Sequence, residues 1–352
     1  MSRSVPIEAA AIVVFALTYL AMALGGIPGL RLDRAGAALA GAAAMVACGA
    51  LSLEEAYRAI DLGTLTLLLG MMIVVANLRL SGVFEAVSAW TAARARYPLF
   101  LLAAVVMVSG FFSAFLVNDT VCLVLTPLVC ELTARLEREP VPYLLAVAMA
   151  SNVGSVATIT GNPQNIIIGS LSGIPYIRFS AALAPVAGVG LLLTIGLLAL
   201  IFRREFWSLN ALRAATQPPA TDGARTPHER ASRALAAKPI LVTLAMMAAF
   251  FAGLPPPEVA IAAGALMLIT RRIESRRIYA EIDWPLLAMF AGLFIVVAGL
   301  EKWVVSARAE AVIGAMRLDS VQPPVSVGVA ERLVRHELSE VPAPEGPTLK
   351  QL

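Results

Sequence analysis

Gly154-Ser155-Val156-Ala157-Thr158-Ile159-Thr160-Gly161-Asn162-Pro163-Gln164-Asn165 interrupts an apolar stretch that opens at Tyr143 and resumes as Ile166–Leu171. Pro163 has no backbone N–H and disfavours helix at Asn162. Gly161 admits dihedrals closed to other residues. The spacing predicts a helix over 143–171 that is broken near its middle, leaving amides and carbonyls without partners inside the helix. In hydrocarbon such backbone is tolerated only where it lines a cavity, so the surroundings of this stretch decide what it is.

Those surroundings are lipid-like. Of the 352 residues 59% are hydrophobic and 14% charged, against roughly 25% charged in a soluble domain. Uncharged runs recur at Ala9–Leu30, Leu62–Leu78, Tyr97–Asn118 and Phe179–Phe202. Each is near the ~20 residues that cross ~30 Å of hydrocarbon as a helix. A membrane β-barrel needs alternating polarity, and these runs are apolar on every face. The first run carries no clear cleavage site and is expected to stay as a helix rather than be removed as a leader. Cys48, Cys122 and Cys130 lie in apolar segments without metal-site spacing, and His228 and His336 lie in polar stretches. A disulfide framework and an HExxH zinc site are therefore excluded. The net charge of +3 comes from loop arginines and reads as membrane topology, not nucleic-acid binding.

A second interruption lies upstream. Val117-Asn118-Asp119-Thr120 divides the apolar residues Leu99–Leu136 at their midpoint. The hydrophilic stretch Arg203–Lys238 holds seven basic residues against three acids and is placed in the cytoplasm by the positive-inside rule. Working outward, the loops bearing Arg31 and Arg34, Arg79, Arg94 and Arg96, Arg135 and Arg138, and Arg271–Arg277 fall inside. The acidic loop Ser52–Asp61 and Leu254–Pro257 fall outside. This map requires the arms of 99–136 to enter and leave on one side, as a re-entrant hairpin.

The chain also repeats itself. Asp61–Leu78 and Asp283–Leu300 align without a gap at an offset of 222 residues, with eight of eighteen positions identical, Gly70/Gly292 and Ile73–Ala76/Ile295–Ala298 among them. The charge map gives the copies opposite orientations, the pattern of inverted repeats in secondary transporters. The expected fold is an all-α polytopic membrane protein with inverted repeats, a re-entrant hairpin and a broken helix. Residues 1–205 form the first repeat, with three helices, the hairpin 99–136, the broken helix 143–171 and a sixth helix. A linker over 206–238 is followed by an incomplete second repeat over 239–316 and a non-membrane tail over 317–352. The polar tail after Arg317 is expected to reflect a frameshift or truncation, the alternative being a true one-and-a-half repeat.

Two groups of residues carry chemistry. Asn118, Asp119 and Thr120 form the first; a carboxylate at membrane depth costs at least ~2.5–3.5 kcal/mol and must face protein, an ion or water. The same residues also suit an N-cap for the arm that follows. Asn152, Ser155, Thr158, Thr160, Gly161, Asn162, Pro163, Gln164 and Asn165 form the second. Their amides offer donors and acceptors together, which suits an oxyanion beside a hard cation; Na⁺ is expected near Asn118, Asp119 and Asn162. Asp61 and Asp283 sit at predicted helix starts and read as caps or interfacial charges. An intramembrane enzyme is excluded, because no nucleophile–base pair lies at depth.

Val117–Thr120 followed by Leu125-Thr126-Pro127 resembles the Asn-Asp hairpin motif of the arsenite permease and sodium/proton antiporter branch of the ion transporter superfamily. Gly161–Asn165 resembles the Gly-Asn-Pro-x-Asn motif of that superfamily, which includes citrate transporters and divalent anion:sodium symporters. The resemblance covers about Ile7–Leu300. It implies secondary transport of a small anion (dicarboxylate, arsenite or another oxyanion) coupled to Na⁺ or H⁺, at a site between hairpin tip and broken helix, with elevator-like motion of that unit. It also implies an inner-membrane location and a homodimer, and no resident cofactor. The alternatives are a Na⁺/H⁺ antiporter on the same scaffold and a non-functional remnant.

Overall fold

The computed structural model describes residues 4–25, 32–94, 97–206, 227–269 and 273–305, and among them every regular element is helical. Four helices are long and apolar enough to cross a membrane: Leu62–Leu80, Pro98–Phe115, Tyr176–Ile201 and Trp284–Val304. Leu192, Leu193, Leu200 and Ile201 stand exposed along one of them, a large apolar surface that water would not tolerate and lipid does. The chain is thus a polytopic all-helical membrane protein, as its composition predicts.

One set of packed helices, here termed the scaffold, lies beside the interrupted helix. It contains α1 (Ser4–Ala23), α2 (Arg34–Ala47), the short α3 (Leu53–Ala59) and α4 (Leu62–Leu80). After residue 226 it continues with α12 (Pro227–Phe251), α13 (Pro256–Leu268), the short α14 (Ser275–Ala280) and α15 (Trp284–Leu300). Its elements recur at the offset seen in the sequence: α2 with α13, α3 with α14, α4 with α15. Asp61 and Asp283 occupy the same role, each capping the helix that follows by accepting from the backbone N–H three residues on, Thr64 at 3.1 Å and Leu286 at 3.0 Å. Packing is reciprocal, since α4 lies on α13 and α15 lies on α2. Both crossings are made at glycine. A Cβ on Gly70 would stand 2.5 Å from the Ala260 carbonyl carbon, and one on Gly292 would stand 2.7 Å from that of Ala38. Ala260 and Ala38 are themselves 222 residues apart.

The second body begins after α5 (Val83–Arg94), which bridges α4 to the hairpin. The hairpin arms are α6 (Pro98–Phe115) and α7 (Asn118–Arg135). The interrupted helix follows as α8 (Pro140–Ser155) and α9 (Pro163–Ser172), then α10 (Tyr176–Ile201) and one turn, α11 (Arg203–Phe206). The arm α6 runs against α8 at a backbone-to-backbone approach, where a Cβ on Gly154 would lie 2.2 Å from the Gly110 carbonyl oxygen.

Three features depart from the sequence expectation. The loop Ser52–Asp61 contains α3, started by a capping box in which Ser52 and Glu55 cap each other. The stretch between Leu80 and Tyr97 is mostly α5, whose mixed polarity hid it. The helix ending at Phe251 starts at Pro227, inside the stretch expected as linker; the rest of that linker and the tail lie outside the described residues.

Candidate functional site

The break forms as the local chemistry dictates. Pro140 starts α8 without needing an N–H donor, and the helix stops at Ser155. Asn162, extended at φ −147°, caps α9 by accepting from Asn165 N–H at 2.8 Å, with Pro163 as the first helical residue. Asn165 then repairs the gap. Its Nδ2 donates to the carbonyls of Ser155 at 3.3 Å, Val156 at 3.3 Å and Thr158 at 2.9 Å. Asn162 Nδ2 donates to Ser155 Oγ at 3.1 Å. Gly161 is required sterically, because a Cβ there would lie 2.1 Å from the Ser155 carbonyl oxygen.

The hairpin tip docks on this break. Asn118 N–H donates to the Gly161 carbonyl at 3.0 Å, and Asn118 Nδ2 donates to Asn152 Oδ1 at 3.2 Å. Thr158 Oγ1 donates to the Ala114 carbonyl in the preceding arm. The Asn118 Oδ1 atom is buried and without a hydrogen-bond partner among the described residues. An orphaned acceptor of this kind is rare and marks a place where a donor or cation would be welcome.

A cavity of about 850 Å³ lies between tip and break on one side and the scaffold on the other. From the second body it is lined by Asn118, Asp119, Asn152, Ser155 and the Asn162–Asn165 segment. From the scaffold come Asp33, Arg34 and Ala35 at the start of α2, with Asp283, Pro285 and Leu286 at the start of α15; Met289 and Phe290 supply an apolar wall. Four helix N-termini (α2, α7, α9 and α15) therefore meet at one space, each carrying about half a positive charge. Asp33 and Asp283 cap two of them, Asp33 accepting from Gly36 N–H at 2.8 Å.

The residues expected from sequence divide in two. Asn118, Asp119, Asn152, Ser155, Asn162, Pro163 and Asn165 line the cavity. Thr120, Thr158, Thr160 and Gly161 do not. Thr160 is fully buried, its hydroxyl 2.8 Å from the Tyr176 hydroxyl and 3.3 Å from that of Thr158. These groups hold the break in shape. Gln164, part of the second group expected from sequence, also lines the cavity; Arg34 and Asp33 line it without having been singled out as site residues, and Asp283 both caps α15 and faces the cavity.

A hairpin and a broken helix meeting tip to break beside an amide-lined cavity is the arrangement that the motif resemblance implies. The family model described as citrate transporter matches residues 12–330. The chain belongs to this family. The match runs beyond Arg317 into the stretch expected as a tail. A 46 kDa membrane protein of Mycobacterium leprae is 33% identical over 304 residues, 83% of this chain and 68% of the relative. The silicon efflux transporter LSI3 of Oryza sativa subsp. japonica is 36% identical over 181 residues, 51% of this chain and 37% of the relative. The putative transporter arsB of Dictyostelium discoideum is 30% identical over 182 residues, 52% and 32%. As a member of the citrate transporter family the chain is a multi-pass membrane transporter and not an enzyme.

Proposed function

We propose that this citrate transporter family member carries a small anion (a dicarboxylate, arsenite or another oxyanion) coupled to Na⁺ or H⁺, with the tip–break cavity as the half-site. The orphaned Asn118 oxygen beside Asp119, on the same wall of the cavity as the amides of Asn152 and Gln164, carries the reading. The oxygen and the carboxylate suit Na⁺ or a proton donor. The amides and converging helix starts suit the anion.

In this reading residues 99–136 re-enter rather than span. Arms of 18 residues reach ~27 Å and α8 reaches ~24 Å, so tip and break meet well short of the far end of α9. Polar contacts support the sidedness, because each joins a residue of a loop placed by the charge map to a helix end that the same map brings to that side. Arg79 pairs with Glu281, and Arg138 with Glu205 at 3.9 Å, at the inner end. Glu55 pairs with Lys302 at 2.6 Å, and Ser170 donates to Asp61 at 3.0 Å, at the outer end. The matched caps and glycine crossings support inverted repeats over 1–205 and 239–316. Dimerisation and the inner-membrane address belong to the same reading.

Reconstitution of the full chain in vesicles tests it. Uptake of labelled citrate, phosphate or arsenite that requires an imposed Na⁺ or H⁺ gradient is expected. Proton efflux driven by Na⁺ with no anion requirement would instead establish the antiporter on this scaffold.

A further inference from the structure

Arg34 is the cationic side chain among the residues lining the cavity, and nothing in the local fold accounts for it. It occupies the first turn of α2, where the helix dipole opposes a cation. Asp33 provides the cap through its carboxylate and the Gly36 N–H, without help from Arg34. The corresponding helix start in the second copy, 222 residues on, is Pro255-Pro256-Pro257, and α13 forms there and makes the same glycine crossing. The helix and its packing therefore do not need an arginine at this position. The side chain is exposed within the cavity and makes no hydrogen bond or ion pair among the described residues, though it lies within electrostatic reach of Asp119. A residue that breaks a local rule while lining a site is expected to serve the site.

The cavity poses an electrostatic problem that Arg34 solves. Asp33, Asp119 and Asp283 all line it, and three carboxylates repel an anion. Asp33 and Asp283 are each tied to a helix N-terminus, which offsets part of their charge. What remains on the scaffold wall is a guanidinium with its donors free, opposite the amides of Asn118, Asn152 and Gln164.

We propose that Arg34 is the anion-recognition residue of this cavity, binding an ionised carboxylate or oxyanion group from the scaffold side while the exposed amides of Asn152 and Gln164 opposite hold the remainder of the ligand. This rests on the anion-transport reading above and narrows its substrate class. An acid ionised at neutral pH gains a charge-assisted, bidentate contact. A neutral oxyacid gains little.

Binding to the purified full-length chain, by calorimetry or ligand-induced thermal shift, tests it with citrate, succinate and inorganic phosphate as charged probes and silicic acid as the neutral one. At least one charged probe should bind the wild type. Arg34→Gln should weaken that binding by about ten- to hundredfold, while the ligand-free melting temperature stays unchanged, and Arg34→Lys should recover part of the affinity. Equal affinity in wild type and Arg34→Gln would overturn the role of Arg34 and leave the anion reading standing. A wild type that binds no charged probe, whether or not it binds silicic acid, would overturn the anion reading and the role of Arg34 with it.

Discussion

The peptide N–H of Asn118 donates to the carbonyl of Gly161 at 3.0 Å, so the tip of one hairpin and the gap in a second helix form a single junction. Neither half could sit alone at membrane depth with its backbone groups unpaired. Together they satisfy each other and leave the amide side chains of Asn118 and Asn152 facing the cavity.

Asn165 closes that junction from below. Replacing it with Ala removes the donor shared by the carbonyls of Ser155, Val156 and Thr158. The Ser155 carbonyl keeps its bond from Asn162 Nδ2 at 3.3 Å, but those of Val156 and Thr158 are left unpaired at about 1–3 kcal/mol each, so Asn165→Ala should melt early or fail to purify as a monodisperse species. Asn165→Gln should be similarly impaired, since its longer side chain misplaces the donor. Wild-type melting of Asn165→Ala would refute the repair role.

The contact of α6 with α8 makes a steric prediction. Gly154→Ala places a methyl group 2.2 Å from the Gly110 carbonyl oxygen, and overpacking of backbone against backbone costs about 1–3 kcal/mol or more. Gly188→Ala, with nothing within 4 Å, is the matched control. Thermal stability in detergent should fall for the first and hold for the second.

Asp119 lines the cavity as an exposed carboxylate. Asp119→Asn keeps its shape and removes its charge, and should abolish gradient-driven uptake in vesicles without loss of folded protein. Unchanged uptake would remove Asp119 from the coupling.

A pH effect is expected at the opposite end. The hydrogen bond from Lys302 Nζ, then those from Ser52, hold the exposed Glu55 carboxyl down at about 2 from an ordinary 4.5. A depressed acid adds stability that is present above the unfolded value and lost as pH falls through the folded one. The melting temperature of wild type should exceed that of Glu55→Gln above pH 4.5 by a small, salt-sensitive margin. The margin should close as pH falls towards 2. A margin independent of pH would assign it to packing instead.

Much of the fold was legible because its signals are local. Pro163 after Gly161 announces a break, Asn118-Asp119 in the middle of an apolar run announces a tip, and Asp61 and Asp283 before matched apolar runs announce caps. The helix α5 was not, because Glu85, Trp90 and Arg94 give it no apolar period. The site was legible in outline only. Between Ser155 and Asn165 the backbone is irregular, so no periodicity tells which hydroxyls face a cavity. Thr158 and Thr160 turn inward to Ala114 and Tyr176, while Gln164 faces out. Arg34 escaped for another reason: beside Arg31 it reads as an ordinary topology signal, and only its place opposite the break shows a second use.

The paired crossings at Gly70 and Gly292 act as two welds in a truss. Main chain there already touches main chain, leaving no slack for the α2–α15 and α4–α13 pairs to slide. In the proposed transport cycle, displacement would be concentrated at the seam between this frame and α6–α10, spanned by α5, by the Asp61–Ser170 contact and by the packing of Phe115 and Tyr176 on Phe250 and Phe251. Engineered cross-links divide accordingly. One stitched across either weld should leave a working machine, whereas one stitched across the seam should stop it.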